Sequence, residues 1–220
     1  MTKFQTLKPI ALACMIALGM WAQTKQAHAA EMETLTVAGG CFWCVESDFE
    51  KVKGVSEVIS GYTGGTVENP TYKQVTSGNT GHFEAVQIIY NPDVVTRAGL
   101  LALFMQSIDP TDAGGQFCDR GDSYRSAIFV GDAASERDAR AALAAAEQAL
   151  GQDIVTPVLS ESAFYPAEAY HQDYYKQDDI ILTRFGPKRK SSAYKSYRNA
   201  CGRDQRVKEL WGASAPFVQS

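Results

Sequence analysis

The spacing of apolar positions along the chain predicts a set of short strands. Four runs rich in Val, Ile, Leu, Phe or Tyr have strand length, at residues 35–38, 55–60, 82–90 and 126–130. A fifth run, residues 154–159, contains Pro157. Because proline lacks the N–H that a central strand donates, this run is expected at a sheet edge.

Helices are predicted between these strands. Residues 133–150 are alanine-rich and amphipathic and end at Gly151, and residues 96–108 begin at Thr96, a good N-cap. Shorter helices are expected at residues 44–52, 72–76 and 168–175. This order predicts an α+β fold. We expect a two-layer sandwich, with a mixed or antiparallel sheet flanked by helices in a ferredoxin-like plait.

The N-terminus has the pattern of a secretory signal peptide. Lys3 and Lys8 precede an apolar run that ends in an A-x-A sequence before Ala30. The run is shorter than the ~20 residues that a membrane span requires, so no membrane anchor is expected. The sequence around Cys14 is a poor match to a lipoprotein cleavage site, and its lipidation stays open. We expect residues 1–29 to be removed near Ala29 and the protein to be exported to the periplasm.

The distribution of charge separates the chain that follows the predicted leader into two regions. The 220-residue chain has a net charge of −4, and loss of a leader that carries lysines but no acids makes the mature chain more acidic. A nucleic-acid partner is therefore not expected. Residues 30–185 are predicted to be the catalytic domain. Residues 186–220 are basic and are predicted to form an extended tail that packs on it, with partner docking as the alternative.

The sequence Gly39-Gly40-Cys41-Phe42-Trp43-Cys44 is the first candidate for chemistry. Between a predicted strand and a predicted helix, Cys41 would lie at a helix N-terminus. Unpaired N–H groups and the helix dipole favour a thiolate there. The alternative is a buried structural cysteine.

Four cysteines follow the predicted leader, namely Cys41, Cys44, Cys118 and Cys201. An even number in an exported protein permits a disulfide framework, but a core of this size does not need one, so redox chemistry is favoured. A zinc site would lack a second close ligand pair. No metal is expected.

Other residues are candidates on weaker grounds. Glu84 lies in a mostly apolar strand, so it is either a buried acid with a raised pKa or an outward-facing carboxylate. Tyr72 and Tyr124 follow turns and could donate hydrogen bonds. Asp119 reads as a turn former, and His171 as a structural histidine.

A series of motifs in order makes the chain resemble the A-type peptide methionine sulfoxide reductases. The resemblance covers roughly residues 37–174. The motifs are Gly40-Cys41-Phe42-Trp43, Gly61-Tyr62-Thr63-Gly64-Gly65, Asn69-Pro70-Thr71-Tyr72, Ser77-Gly78, Thr80-Gly81-His82-Phe83-Glu84-Ala85-Val86, Asp109-Pro110-Thr111, Tyr124-Arg125-Ser126 and His171-Gln172-Asp173-Tyr174.

The resemblance implies a role for each matching residue. Cys41 would attack the sulfoxide sulfur, and Glu84 would protonate the departing oxygen. Tyr72 and Tyr124 would assist by hydrogen bonding. The substrate pocket implied by the family consists of Phe42, Trp43, Asp119, His171 and Tyr174.

The same resemblance implies how the enzyme is regenerated. A second thiol would condense with the sulfenic acid of Cys41, and an external dithiol such as a thioredoxin-like protein would reduce the disulfide, with no cofactor. Cys201, Cys44 and Cys118 are the candidates, in that order. Cys44 stands where many relatives have glycine. The family acts on the S epimer of methionine sulfoxide, free or in proteins, and the default oligomeric state is a monomer.

Two other classes compete with this interpretation. A thiol–disulfide oxidoreductase could use Cys41 and Cys44 as a dithiol, but the chain lacks a convincing alternation of strands and helices with a cis-proline loop. A zinc-binding module is the second.

Overall fold

A six-stranded mixed sheet lies at the centre of the described chain. The computed structural model describes residues 31–183 and 186–218, so the predicted signal peptide and Cys14 lie outside the described residues. The strands of the sheet are β1 (Glu33–Gly39), β2 (Val55–Thr63), β3 (Phe83–Tyr90), β6 (Ser126–Val130), β7 (Val158–Ser160) and β8 (Tyr165–Pro166). Their order is β7-β6-β1-β3-β2-β8, and only β6 and β7 run parallel to each other.

Two ribbons of paired strands stand outside the sheet. They are β4 (Gly115–Gln116) with β5 (Asp119–Arg120), and β9 (Ile180–Thr183) with β10 (Gly186–Arg189). The described α-helices are α1 (Phe42–Phe49), α2 (Tyr72–Thr76), α3 (Arg97–Met105), α4 (Ala133–Leu150), α5 (Lys190–Cys201) and α6 (Arg203–Trp211). None of the helices in the described part of the chain is long and apolar enough to cross a membrane.

The helices α1, α3 and α4 share one core with the sheet. Successive strand residues point to opposite faces, and Val37 of β1 lies in this core while Ala38 belongs to a smaller cluster. Val45, Phe104 and Ala139, one from each helix, pack in the same cluster as Val37. The structure therefore has the sheet-and-helix layers that the sequence predicts.

Most of the predicted elements are confirmed. The Thr96 hydroxyl accepts a hydrogen bond from the Gly99 N–H at the start of α3, and Gly151 ends α4 in the left-handed region. Pro157 lies just before β7, and β7 is an edge strand as expected.

The helix predicted at residues 168–175 is wrong. The chain forms turns there and then a 3-10 turn, Tyr174–Lys176. Asp173 has φ of 55°, which breaks a helix, and the Glu168 carboxylate accepts hydrogen bonds from the Tyr62 hydroxyl and the Tyr72 N–H instead. These contacts across the fold replace a local helix.

The extended tail predicted for residues 186–220 is also wrong. Its described part contains β10, α5 and α6, and it buries Tyr194, Arg198 and Val207. Arg198 forms an ion pair of 2.7 Å with Asp48 of α1, which docks the helices on the main core. Because this segment is rich in Lys and Arg, its composition did not indicate that these side chains are buried.

Candidate active site

The turn between β1 and α1 places Cys41. Gly40 has φ of +78°, and a Cβ on it would lie 2.5 Å from the Cβ of Gln116. Only glycine fits both conditions. The turn sets Cys41 at the N-cap of α1, where its side chain makes no capping hydrogen bond and is 6% exposed. The thiol is therefore neither used as a helix cap nor joined in a disulfide.

Glu84 caps the same helix from β3. Its Oε2 accepts a 3.1 Å hydrogen bond from the Phe42 N–H, one of the N–H groups that the first turn of α1 leaves unpaired. The side chain is 1% exposed, so the buried interpretation of Glu84 is the correct one. Its Oε1 is buried and has no hydrogen-bond partner among the described residues.

Burial gives Glu84 the properties of an acid. Loss of solvation is the main cause that raises the pKa of Glu84 to about 8, and the charge of Asp119 adds to it. The Phe42 N–H and the Tyr124 phenol oppose this shift. At neutral pH the carboxyl group is thus mostly protonated beside Cys41.

Tyr72 and Tyr124 lie together next to Glu84. Burial raises the pKa of both phenols, and the negative charge of Glu84 raises them further. The two phenols also act on each other, since Tyr124 lowers the pKa of Tyr72 and Tyr72 raises the pKa of Tyr124. Both phenols therefore keep their protons at physiological pH and can donate hydrogen bonds, as the sequence interpretation required.

An aromatic wall forms the apolar side of the site. Phe42 is 1% exposed, and its ring centroid is 5.1 Å from that of His171 and 6.3 Å from that of Tyr72. Trp43 stacks on Tyr174 at 3.8 Å with an interplanar angle of 6°. The predicted pocket residues on this side are thus brought together.

His171 is held neutral in this wall. Its Nδ1 accepts a 3.1 Å hydrogen bond from Trp43 Nε1, so the ring proton is on Nε2. Burial lowers the pKa of His171 to about 4. The imidazole orients the indole and carries no charge near neutral pH.

The sequence predicts a thiolate at Cys41, but the pKa values of the two buried thiols differ from this expectation. Burial raises the pKa of Cys41 well above its ordinary value, and the neighbouring Cys44 and Glu84 add to this. Contact with the Cys41 thiol lowers the pKa of Cys44, and the charges of Arg203 and Arg198 assist. The helix N-terminus alone does not make Cys41 a thiolate in the free site, because desolvation dominates.

The remaining two cysteines form a disulfide. Cys118 and Cys201 are bonded, with Cα atoms 4.9 Å apart, whereas Cys41 and Cys44 are free. Cys201, the first candidate for the resolving thiol, and Cys118, the third, are therefore not free thiols in this structure. Cys44, the second candidate, lies in the first turn of α1 beside Cys41.

Asp119 links the disulfide to the site. Its carboxylate accepts a hydrogen bond from the Tyr197 hydroxyl and lies 3.8 Å from the Sγ of Cys201. Burial is the main cause that raises the pKa of Asp119. A cavity of about 520 Å³ opens between Trp43 and Tyr174 on one side and the disulfide on the other.

Neither group of possible metal ligands among the described residues has the form of a metal centre. In the first, Cys118 and Cys201 with Asp119, both sulfurs are used in the disulfide. In the second, Glu50 and Asp173 pair with Lys176.

Sequence reasoning missed the contribution of α5 and α6. Tyr194, Tyr197, Arg198 and Cys201 are spaced as one face of a helix, and this signal was present in the sequence. Arg203, at the start of α6, is 2% exposed. No sequence signal separates it from the solvated arginines of the tail.

Comparison with known proteins agrees with this geometry. A profile of the family described as peptide methionine sulfoxide reductase matches residues 33–213. The peptide methionine sulfoxide reductase MsrA 2 of Rhizobium meliloti is 47% identical over 189 residues, which cover 86% of this chain and 88% of that protein. The MsrA enzyme of Bacillus subtilis is 48% identical over 183 residues, covering 82% and 97%.

Solved structures are similar as well. Methionine sulfoxide reductase A of Corynebacterium diphtheriae matches with a TM-score of 0.61 and 33% identity, covering 65% of this chain and 73% of that one. Mxr1 from Saccharomyces cerevisiae in its reduced form matches with a TM-score of 0.64 and 29% identity, covering 76% and 97%. The chain therefore belongs to the peptide methionine sulfoxide reductase family and is an oxidoreductase that reduces methionine sulfoxide.

Proposed function

We propose that the enzyme reduces the S epimer of methionine sulfoxide, free or in proteins, through a sulfenic acid on Cys41 and a disulfide. One observation carries this proposal: a protonated, buried carboxyl group with an unpaired oxygen lies beside a free thiol. A sulfoxide oxygen leaves readily only when it is protonated, and Glu84 is placed to supply that proton.

The substrate is held by the aromatic wall and the phenols. Phe42 and Trp43 offer an apolar surface for the methyl group of the sulfoxide. The hydroxyls of Tyr72 and Tyr124 donate hydrogen bonds to its oxygen. Asp119, His171 and Tyr174 line the remaining sides and fix these groups, as the contact between Trp43 and His171 supports.

In the first step, Cys41 takes the oxygen from the sulfoxide. The Cys41 thiolate attacks the sulfoxide sulfur, and Glu84 gives one proton to the oxygen. The sulfur–oxygen bond of the substrate and the transient sulfur–sulfur bond then break as the hydroxyl group passes to the sulfur of Cys41. The products are methionine and a sulfenic acid on Cys41. The cysteine sulfur loses two electrons and the methionine sulfur gains them.

In the second step, we assign Cys44 as the resolving thiol. Its thiolate attacks the sulfur of the sulfenic acid, a disulfide forms, and the oxygen leaves as water after taking one proton. The support is position: Cys44 is free and lies beside Cys41, while Cys118 and Cys201 are joined to each other.

We also propose how the enzyme is reduced after each turnover and where it is located. An external dithiol, such as a thioredoxin-like protein, reduces the disulfide, and the enzyme uses no cofactor. The signal-peptide pattern before Ala30 supports export to the periplasm and repair of oxidised exported proteins. We take the protein to act as a monomer.

We also propose that the core of the fold is a ferredoxin-like plait. The strands β1, β2, β3 and β6 lie in the order β6-β1-β3-β2, with α1 between β1 and β2 and α3 between β3 and β6. This succession supports a ferredoxin-like plait as the core.

Turnover of a single sulfoxide epimer with dithiothreitol tests the function. We expect Cys41→Ser to abolish turnover and Glu84→Gln to slow methionine release in a single turnover by ~10²-fold or more, because the general acid is lost. Glu57→Gln, an exposed carboxylate on β2, is the matched control and should keep the wild-type rate. Wild-type rates in Cys41→Ser or Glu84→Gln would refute the assigned role.

A further inference from the structure

Arg203 is a buried cation without a carboxylate partner. Its side chain is 2% exposed, and its two terminal nitrogens donate to a single acceptor, the Gly39 carbonyl, at 3.2 and 3.1 Å. Its Nε has no hydrogen-bond partner, and no ion pair of Arg203 occurs among the described residues. A buried charge without a counterion is costly, so this arrangement calls for an explanation.

The neighbouring buried arginine shows the contrast. Arg198 is also 2% exposed, but it pairs with Asp48 at 2.7 Å and with Asp204 at 2.7 Å. Its charge is therefore matched within the protein. Arg203 has no such ion pair, although its charge lowers the pKa of the carboxyl groups of Asp48 and Asp119.

The charge of Arg203 also acts on the free thiol of Cys44. Gly39, which Arg203 holds through its carbonyl, is the last residue of β1, and Cys44 lies in the first turn of the helix that follows. Contact with Cys41 lowers the pKa of Cys44 first, and the positive charges of Arg203 and Arg198 lower it further. Arg203 thus clamps the turn and faces a group that can become an anion.

The disulfide holds Arg203 in place. Cys201 precedes Arg203 by two residues, and Cys118 follows Phe117, whose ring lies 4.7 Å from the Arg203 guanidinium. Phe117 has φ of 56°. The disulfide and the cation–π contact therefore both join residues 117–118 to residues 201–203. Together they hold the guanidinium of Arg203 against the β1–α1 turn.

We propose that Arg203 is a positioning residue for the second step, which keeps Cys44 ready as a thiolate to attack the sulfenic acid of Cys41. This inference rests on the proposed function. Glu84 gives its proton away in the first step, and because its pKa is raised to about 8, solvent protonates it again at neutral pH. The second step then joins the two sulfurs, releases the oxygen as water with one proton from Glu84, and consumes the charge on Cys44 that Arg203 stabilised. Arg203 acts through Cys44 and touches neither the sulfoxide nor the reacting oxygen.

Other groups also set the charge around Cys44. Those that interact with it are Cys41, Asp48, Glu84, Tyr194, Tyr197 and Arg198. The pKa of each of the two tyrosines is raised by burial, so they stay neutral over the working range. Loss of Arg203 should therefore raise the pKa of Cys44 and move the second step to higher pH.

A single turnover without reductant separates the two steps. Released methionine reports the first, and alkylation followed by mass spectrometry reports the Cys41–Cys44 disulfide. We expect Arg203→Met to slow disulfide formation at neutral pH ~10-fold more than it slows methionine release, since one pKa unit is a factor of ten. Arg203→Lys should recover most of this rate, and Lys208→Met, exposed on the same helix, should behave as wild type.

The outcomes are distinguishable. A wild-type rate and pH dependence of disulfide formation in Arg203→Met would overturn the inference. Absence of methionine release from the wild type would refute the proposed function instead, and hydrogen peroxide could then make the sulfenic acid directly. If Arg203→Met does not fold, the thiolate absorbance of Cys44 in Cys41→Ser decides, because an ordinary or raised pKa there contradicts the proposal.

Discussion

At the residue scale, burial determines which groups of the site hold a proton, as Glu84 and Cys41 show. The same loss of solvation raises the pKa of the carboxyl group and of the thiol, so the free site holds protons on both. The proposed attack on the sulfoxide needs a thiolate at Cys41 beside a protonated Glu84. Of the two groups, Glu84 has the lower pKa, so the first proton lost from the free site is that of the carboxyl group. The state that the proposed chemistry needs is therefore not the resting state of the free site.

The raised pKa of Glu84 predicts a cost in stability. In the unfolded chain the carboxyl group ionises near pH 4.5, whereas in the folded protein it ionises near pH 8. Below pH 4.5 both states are protonated. As the pH rises from 4.5 to 8, the unfolded state alone gains by ionising, so this group makes the protein progressively less stable.

Glu84→Gln should therefore become more stable than the wild type as the pH rises through this window. We expect an advantage on the order of 2–5 kcal/mol above pH 8 and little below pH 4.5. Urea unfolding over this range measures it. Glu46, whose pKa burial raises to about 7, contributes equally to both proteins. A difference independent of pH would contradict the origin assigned to the shift.

At the scale of elements, the β1–α1 turn places Cys41, the proposed nucleophile. Gly40 takes a positive φ and passes close to Gln116, which is itself held by hydrogen bonds of 2.8 Å to the backbone of Asp109. The turn therefore cannot shift without moving Cys41.

Gly40→Ala tests this element. A side chain at a positive φ costs about 1 kcal/mol, and the overlap with Gln116 should add about 1–3 kcal/mol and lower the rate of methionine release. Gly151→Ala is the matched control, since Gly151 has φ of +62° but open space around it. It should lose about 1 kcal/mol and no activity. Equal losses of stability, measured by thermal unfolding, would mean that contact with Gln116 is unimportant.

Elements with a local signal were predictable, and those fixed by distant contacts were not. The alternation in β3 and the capped helix α4 carry their structure in their own residues. The helix expected around His171 fails because Glu168 bonds to Tyr62 and Tyr72. The site followed the same rule: motifs predicted Cys41 and Glu84, which the structure places together, whereas the proposed role of Arg203 depends on tertiary burial.

On the scale of the whole molecule, the site joins distant parts of the chain. The β1–α1 region carries Cys41 and Cys44, β3 carries Glu84, and the segment around Asp119 is bonded to the end of α5. The disulfide between Cys118 and Cys201 spans 83 residues and is the covalent link between these parts. It is also more exposed than the buried pair Cys41 and Cys44.

This arrangement predicts a structural role for the disulfide. In the Cys118→Ser/Cys201→Ser double variant, we expect the free energy of unfolding to fall by about 2–5 kcal/mol, as for a disulfide that closes a long loop. One turnover without reductant should still release methionine and form the Cys41–Cys44 disulfide. That disulfide should form more slowly than in the wild type, because Arg203 follows Cys201 by two residues and loses its anchor.

Cys44→Ser is the matched variant, because it removes the proposed resolving thiol instead of the disulfide between Cys118 and Cys201. It should keep the disulfide between Cys118 and Cys201, release one methionine, and stop at a sulfenic acid on Cys41 that a dimedone trap can label. If the double variant stops at the sulfenic acid instead, then Cys118 or Cys201 is the resolving thiol. The bond between them would in that case be an intermediate of the reaction, and the basic helices would move during every turnover rather than hold the site together.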